Sequence, residues 1–499
     1  MNRTTLSLIV GTTALAAVTG FATLTEPAAP AAETAGAAAV QPVERTSLLC
    51  PAPSSSDVAE TTYTSYTPVT QGTGSSGTAE LRPATAESAA AGSGTGGKKK
   101  TAAKPVLTPE APGTPVTGEV SGGEAPALVG AADGRFAPGW TLQETTQVDV
   151  GTGRGLLGVT CTGPDTEFWF PGVSTAADRT DYVHLTNPDD SAAVADIELH
   201  GKDGAVTTTV GEGLTIPAHS SEPILLSTLT GEKQDDLTLH VNVRSGRVGA
   251  AVQALDDKLG GDWLAASADP AGSLVVPGIP KDATAVRLVA FAPGDSDADL
   301  KVQLASTSGL ITPAGHETLH VKAGMTTAVD LGDVTRGEAG SLVLTPTGQS
   351  TPVVAAVRVV RGKGDKQESA FIPATGPVGT RASAVGNTAK GSTLSLTAPR
   401  GTAKVKVTAS AGTEGGTAAS KTYTIRSGTT QDVELPVPTG LKGTYALTVE
   451  TLDDTPVHAS RTLTASVDGL PGFTIQTLPD DRGTVAVPEA DEDLTILQG

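Results

Sequence analysis

Apolar and polar residues alternate with a period of two along most of this chain. Val194-Ala195-Asp196-Ile197-Glu198-Leu199, Leu300-Lys301-Val302-Gln303-Leu304 and Val405-Lys406-Val407 each put apolar side chains on one face and polar ones on the other, as half-buried strands do. Each passes through a glycine turn (Gly201 to Gly204, Gly309, Gly412) into Leu214-Thr215-Ile216, Leu319-His320-Val321 or Tyr423-Thr424-Ile425. Apolar pairs two apart follow: Ile224 and Leu226, Val329 and Leu331, Val433 and Leu435. The same succession three times over is an internal repeat. Its start is marked by Leu185-Thr186-Asn187-Pro188, Ala290-Phe291-Ala292-Pro293 and Leu396-Thr397-Ala398-Pro399, spaced 293 − 188 = 105 and 399 − 293 = 106 residues apart. Seven or so short strands per copy, with Gly, Pro and Asp turns and no helical period, predict immunoglobulin-like antiparallel β-sandwich modules in an all-β chain.

The bridging segments Phe168-Trp169-Phe170-Pro171, Leu274-Val275-Val276-Pro277 and Ala370-Phe371-Ile372-Pro373 also match one another. Proline there fixes φ and removes a donor, so it is expected to end a strand and stiffen the joint, giving tandem modules in a rod. Modules are expected at 173–278, 279–374 and 392–485, with a Gly/Ser/Ala-rich linker at 375–391 and an acidic tail at 486–499. A degenerate copy at 45–172 is read from Leu48-Leu49-Cys50-Pro51, aligned with Leu185 to Pro188, and from Gly155 to Cys161, aligned with the closing strand near Val248. Its extra length is assigned to a disordered insert at about 72–125, rich in Gly, Ser, Thr, Ala and Pro and carrying Lys98-Lys99-Lys100.

The formal charge of −20 repels phosphate backbones and anionic headgroups, so no nucleic-acid partner is expected. Aromatic residues make up only 3%, which leaves the cores to small and β-branched side chains. Residues 1–32 read as a signal peptide or membrane anchor: Arg3 precedes an uncharged stretch from Leu6 to Leu24, followed by Ala29-Pro30-Ala31. Residues 33–44 are a linker. Both readings place the rest of the chain outside the cytoplasm, exported by the general secretory route, with any membrane contact confined to residues 6–24. Cys50 and Cys161 are the only cysteines, and in an oxidising exterior they are expected to pair.

The exported start, the Leu-Leu-Cys-Pro element at 48–51, the Ser/Gly-rich insert and the repeated strand-x-Pro modules resemble an actinobacterial family of secreted or membrane-anchored proteins known only as a domain of unknown function. That resemblance implies exported β-domains and carries no catalytic residue.

Several motifs suggest chemistry that their context opposes. His316-Glu317-Thr318-Leu319-His320 fits H-E-x-x-H, but one zinc takes both histidines only on a helix. Alternating Leu319 and Val321 predict a strand, in which four residues span roughly 13 Å. Gly153-Arg154-Gly155-Leu156-Leu157-Gly158 fits a dinucleotide pattern, yet a strand rather than a helix follows. Asp295-Ser296-Asp297-Ala298-Asp299 lacks the Gly and Glu of a calcium loop, since Leu300 and Ser306 stand at those positions. No catalytic constellation, metal site or cofactor is read. The expected function is that of a non-enzymatic envelope spacer or protein-interaction rod. The alternative is a glycan-binding accessory protein of envelope polysaccharide assembly, with Trp140 and Trp263 facing the ligand, and the partner is an unidentified envelope protein or glycan.

Overall fold

A computed structural model describes residues 39–84 and 104–487. Residues 1–32, expected to be a signal peptide or anchor, residues 85–103 of the insert and residues 488–499 of the tail lie outside the described residues. The chain divides into two units, Pro42–Thr484 and the segments on either side of it. In the smaller one the described residues form a two-stranded sheet of Ala39–Pro42 and Thr484–Val487.

The larger unit is all-β and antiparallel. Four of its sheets share one strand order. In the second module Ser221–Leu225, Arg179–Thr186, Gly249–Asp256 and Gly260–Leu264 lie side by side. The first module repeats this with Val116–Ser121, Glu60–Tyr66, Thr141–Val148 and Gly155–Thr160. The third uses Thr326–Asp330, Ala283–Phe291, Val354–Arg361 and Glu368–Pro373, and the fourth Thr429–Val433, Ser392–Ala398, His458–Val467 and Leu470–Thr477. A second sheet covers each, opened by a leading strand: Arg45–Cys50, Glu167–Val173, Leu274–Ile279 or Arg381–Asn387. Apolar residues from both sheets share one core; in the second module Val183, Leu185 and Val252 meet Ile197, Leu239 and Val241. Burying each such side chain contributes about 1.5–3 kcal/mol.

The expected rod does not form within this unit, because the modules close on one another. The leading strand of each module lies on the four-stranded sheet of the next. Arg45–Cys50 packs on Gly249–Asp256, Glu167–Val173 on Val354–Arg361, Leu274–Ile279 on His458–Val467, and Arg381–Asn387 on Thr141–Val148 of the first module. The last strands of the four sheets, here called inner strands, meet in the cyclic order Gly155–Thr160, Gly260–Leu264, Glu368–Pro373, Leu470–Thr477. One head-to-tail contact repeated until the rotation closes makes a ring. The ends of the ring are sewn together where Val43 N–H donates to Gly483 O at 3.1 Å.

The prolines expected to stiffen a rod have another role. Pro171 and Pro277 stand inside leading strands at bulges, beside Gly172 and Gly278, whose φ values of 107° and 74° favour glycine. Those bulges bend the leading strand onto the next module. Gly278 abuts Ser460 of the fourth module so closely that a Cβ would overlap its hydroxyl. Ala370 to Pro373 is not their counterpart, because it belongs to an inner strand.

The first module is also one strand out of register with the expected alignment. Glu60–Tyr66 pairs on both sides as Arg179–Thr186 does, so the fourth proline-ended element is Tyr66-Thr67-Pro68 and not Leu48 to Pro51. Likewise Gly155–Thr160 is an inner strand, and Thr141–Val148 corresponds to the strand after Val248. Three segments read as linker or insert have strands, the first being Ala39–Pro42 in the linker 33–44. Residues 381–387 of the linker 375–391 are the fourth leading strand, and Ala79–Pro83 and Val116–Ser121 of the insert pair within the first module. Leu81 is fully buried against Leu107, which anchors that region despite its polar composition.

Candidate functional site at the ring axis

Where four inner strands converge, their side chains leave water, and small or polar residues decide how closely the strands approach. Gly158 of the first module is one such close approach. A Cβ there would lie 2.6 Å from Thr474 Cγ2 and 2.5 Å from Gln476 Nε2 of the fourth. Its N–H donates to Asp262 Oδ1 of the second module at 3.0 Å, and the Thr474 hydroxyl donates to the same oxygen at 2.9 Å. Gln476 Nε2 donates in turn to Thr474 Oγ1 at 2.8 Å. One carboxyl thus joins three modules.

Asp262 is 1% exposed, and its Oδ2 has no hydrogen-bond partner among the described residues. Burial pushes its pKa well above the usual carboxylate range. The N–H groups of Gly158 and Trp263 and the Thr474 hydroxyl pull it back, while Glu368 pushes it further up. Glu368 opens the inner strand of the third module and is also buried. It is seated against two glycines of other modules: a Cβ at Gly155 would lie 2.7 Å from its Oε2, and one at Gly260 3.8 Å from its Cδ. Burial pushes Glu368 up to about 7, against the opposing charge of Arg154. Arg461 of the fourth module is fully buried and donates to Gln143 Oε1 of the first, with Nε and Nη1 lacking partners among the described residues. Burial lowers its pKa to about 9. Chemically, this axis can take up and release protons; among the described residues, no group of three or more His, Cys, Asp or Glu side chains is placed to hold a metal ion.

A second polar feature lies between the first and second modules. His184 is 5% exposed with neither ring nitrogen partnered among the described residues, and burial lowers its pKa to about 4, which keeps it neutral. It borders a crevice of about 230 Å³, open solvent included, that Leu49, Pro51, Thr160, Thr162 and Thr186 also line.

The residues singled out from sequence fall elsewhere. Trp140 and Trp263, expected to face a ligand, are 4% and 2% exposed. Trp140 donates to Ser65 Oγ at 2.8 Å inside the core of the first module, and Trp263 packs with Leu157, Val159 and Ala251 between the first two. Both are core residues, because a chain so poor in aromatics uses its few large rings to fill space between small side chains. Trp169 packs on Phe291 and Val354 in the joint of the second and third modules and stacks on His240 at 3.7 Å. Cys50 and Cys161 form a buried disulfide, with their Cα atoms 4.5 Å apart. His320 lies on the strand Thr318–Val321 with Asp299 Oδ1 2.8 Å away, and His316 sits in the turn before it. Asp297 accepts from Ala323 N–H at 2.9 Å, a bond between segments 26 residues apart and not a turn bond to its own neighbours. Gly153 to Gly158 is a turn running into a strand.

Sequence reasoning missed Asp262 and Glu368. A signal was present for Asp262, a lone acid in Gly260-Gly261-Asp262-Trp263-Leu264, whereas Glu368 follows the charged stretch Lys363-Gly364-Asp365-Lys366-Gln367 and does not stand out. Only closure of the ring brings Glu368 near enough for its charge to act on Asp262.

No curated protein and no solved structure matches this chain. A family of unknown function (DUF5719) matches residues 116–436, from the edge strand Val116–Ser121 of the first module to just past the fourth module's strand Thr429–Val433. That is more than half of the chain, which therefore belongs to this family of unknown function.

Proposed function

We propose that this chain is an exported, non-enzymatic platform at the cell envelope that presents a rigid ring of β-sandwiches to a partner protein. The observation that carries the reading is the closed ring with adjoining ends. With Val43 N–H bonded to Gly483 O at 3.1 Å, the unit is entered and left at one place. A spacer needs its ends far apart. A body held from one side and read from the other needs them together.

Two further features support the reading. The Cys50–Cys161 bond suits an oxidising compartment. The large apolar side chains that the ring exposes, Leu310, Ile311, Val437 and Leu452, offer contact points for such a partner. A glycan-binding role rested on Trp140 and Trp263, and both lie in cores.

The experiment places a photo-crosslinking residue at exposed positions such as Leu310, Ile311, Val437 and Leu452 in the full chain expressed in its own host. Maleimide trapping, before and after reduction, reports the state of Cys50 and Cys161. The reading expects oxidised cysteines in protease-accessible protein and one discrete adduct from neighbouring positions. Reduced thiols in protease-protected protein, or no adduct from any exposed position, overturn it.

A further inference from the structure

Most charges of this acidic chain face solvent, but Asp262 and Glu368 are buried where modules meet. Asp262 accepts hydrogen bonds from the first and fourth modules through one oxygen, while its other oxygen has no partner among the described residues. Glu368 is 2% exposed, and its Oε1 is also unpartnered among them. Its seat is made by Gly155 of the first module and Gly260 of the second. The two acids therefore bridge the joints of all four modules, in a place where an ionised carboxylate loses its hydration without gaining a full counter-charge.

We propose that Asp262 and Glu368 act as a proton-dependent lock on the ring: protonated, they hold the four inner strands together, and ionised, they loosen the axis first where the fourth module meets the first.

The surroundings agree on the direction. From the first module, Asp262 faces the neutral Gly158, and from the fourth, the neutral Thr474 and Gln476. The charge acting on it is Glu368, which is of like sign. Glu368 faces Arg154, whose guanidinium also donates to Lys258 O at 3.1 Å. Arg361, opposite Glu368 on the neighbouring strand, is held by Asp282 at 2.6 Å and lies over the Phe473 ring. Arg461 is turned to Gln143 and, among the described residues, pairs with no carboxylate. Both acids are raised above their ordinary values, Glu368 to about 7, so the closed ring holds protons that a loosened ring releases. Their contribution to closure is complete below the ordinary carboxylate values near pH 4. It declines as pH rises through about 7 for Glu368, and through the raised value of Asp262. Loosening starts between the fourth and first modules because one oxygen of Asp262 holds the Gly158 N–H of the first and the Thr474 hydroxyl of the fourth together, and Arg461 adds a second charge without a counter-ion among the described residues.

Hydrogen exchange of the full chain, read by mass spectrometry and corrected for the intrinsic pH dependence of exchange, tests this. Peptides covering Gly155–Thr160 and Leu470–Thr477 are expected to lose at least tenfold in protection between pH 5.5 and 8.5, while the strand Ala193–Gly201 of the second module does not. Asp262→Asn with Glu368→Gln, which imitates the protonated pair, is expected to abolish the pH dependence. If the double variant does not fold, Glu368→Gln alone is expected to reduce it at least twofold. Protection that is independent of pH in the wild type overturns the proposal, and so does an unchanged decline in whichever variant folds.

Discussion

Removing the disulfide separates a ring from a string of domains. Cys50 and Cys161 lie 111 residues apart, and their bond ties the leading strand of the first module to the end of its inner strand. On the chain-entropy relation, a closed loop of that length contributes about 4.8 kcal/mol at 25 °C. The resulting shift in Tm depends on what unfolds with it. If the unit Pro42–Thr484 melts as one body, its unfolding entropy is about 0.9 kcal/mol/K and the shift is about 5 °C. If the first module melts alone, with roughly 120 residues, the entropy is about 0.25 kcal/mol/K and the shift is about 20 °C. Differential scanning calorimetry of Cys50→Ser/Cys161→Ser beside the oxidised wild type is the assay. Closure predicts one transition displaced by about 5 °C. A separate early transition, carrying about a quarter of the enthalpy and displaced by about 20 °C, would refute the reasoning.

Three further outcomes follow from the same contacts. Gly158→Val puts a branched side chain where Thr474 and Gln476 stand, and is expected to cost about 1–3 kcal/mol in chemical denaturation; wild-type stability would mean the first and fourth modules do not touch there. Glu144 is fully buried in the first module, both oxygens unpartnered among the described residues, and burial pushes its pKa well up. The stability it contributes is present at low pH and is lost as pH rises through the folded value. Glu144→Gln is therefore expected to flatten the alkaline decline by up to about 1.4 kcal/mol per pH unit in urea titrations at pH 5 to 9, and an unchanged slope would count against it. Arg461→Met with Gln143→Leu replaces a buried guanidinium and its single acceptor by apolar volume. It should be neutral or stabilising by about 1–4 kcal/mol, so a loss of several kcal/mol by denaturation would show that Arg461 has a counter-ion.

Much of this fold was legible from the two-residue period alone. Leu199, Leu304 and Val407 all point into cores, as their alternation requires. Strands with weak alternation were not legible. Arg381 to Asn387 carries Ala382, Ala384 and Val385 as its apolar residues, a pattern that resembles a linker until the strand Tyr445–Thr451 is beside it. The first module was misaligned because Leu48 to Pro51 shares a proline ending with Leu185 to Pro188, whereas the true counterpart carries Tyr66 and Thr67, which look unlike Thr186 and Asn187. Closure was invisible for a physical reason. Contacts between modules rest on residues such as Gly158, Gly278 and Thr474, whose value lies in being small or hydroxylated at one spot. No periodicity records that.

The same limit applied to the candidate site. Exposed tryptophans were expected to mark a ligand face, but in a chain with three tryptophans and seven phenylalanines a large ring is worth most in a core. A lone acid inside an apolar strand, as at Asp262, is the more telling feature, because a strand that keeps an aspartate facing inward must supply it with donors. Gly158 and Thr474 are those donors, and they come from two other modules.

The measurement that tests ring closure most directly is small-angle X-ray scattering from the isolated unit Pro42–Thr484. Four modules closed on one axis predict a radius of gyration near 22 Å, the value for a compact body of this length. Four such modules in line predict about 40 Å, and a value in that range would contradict the ring.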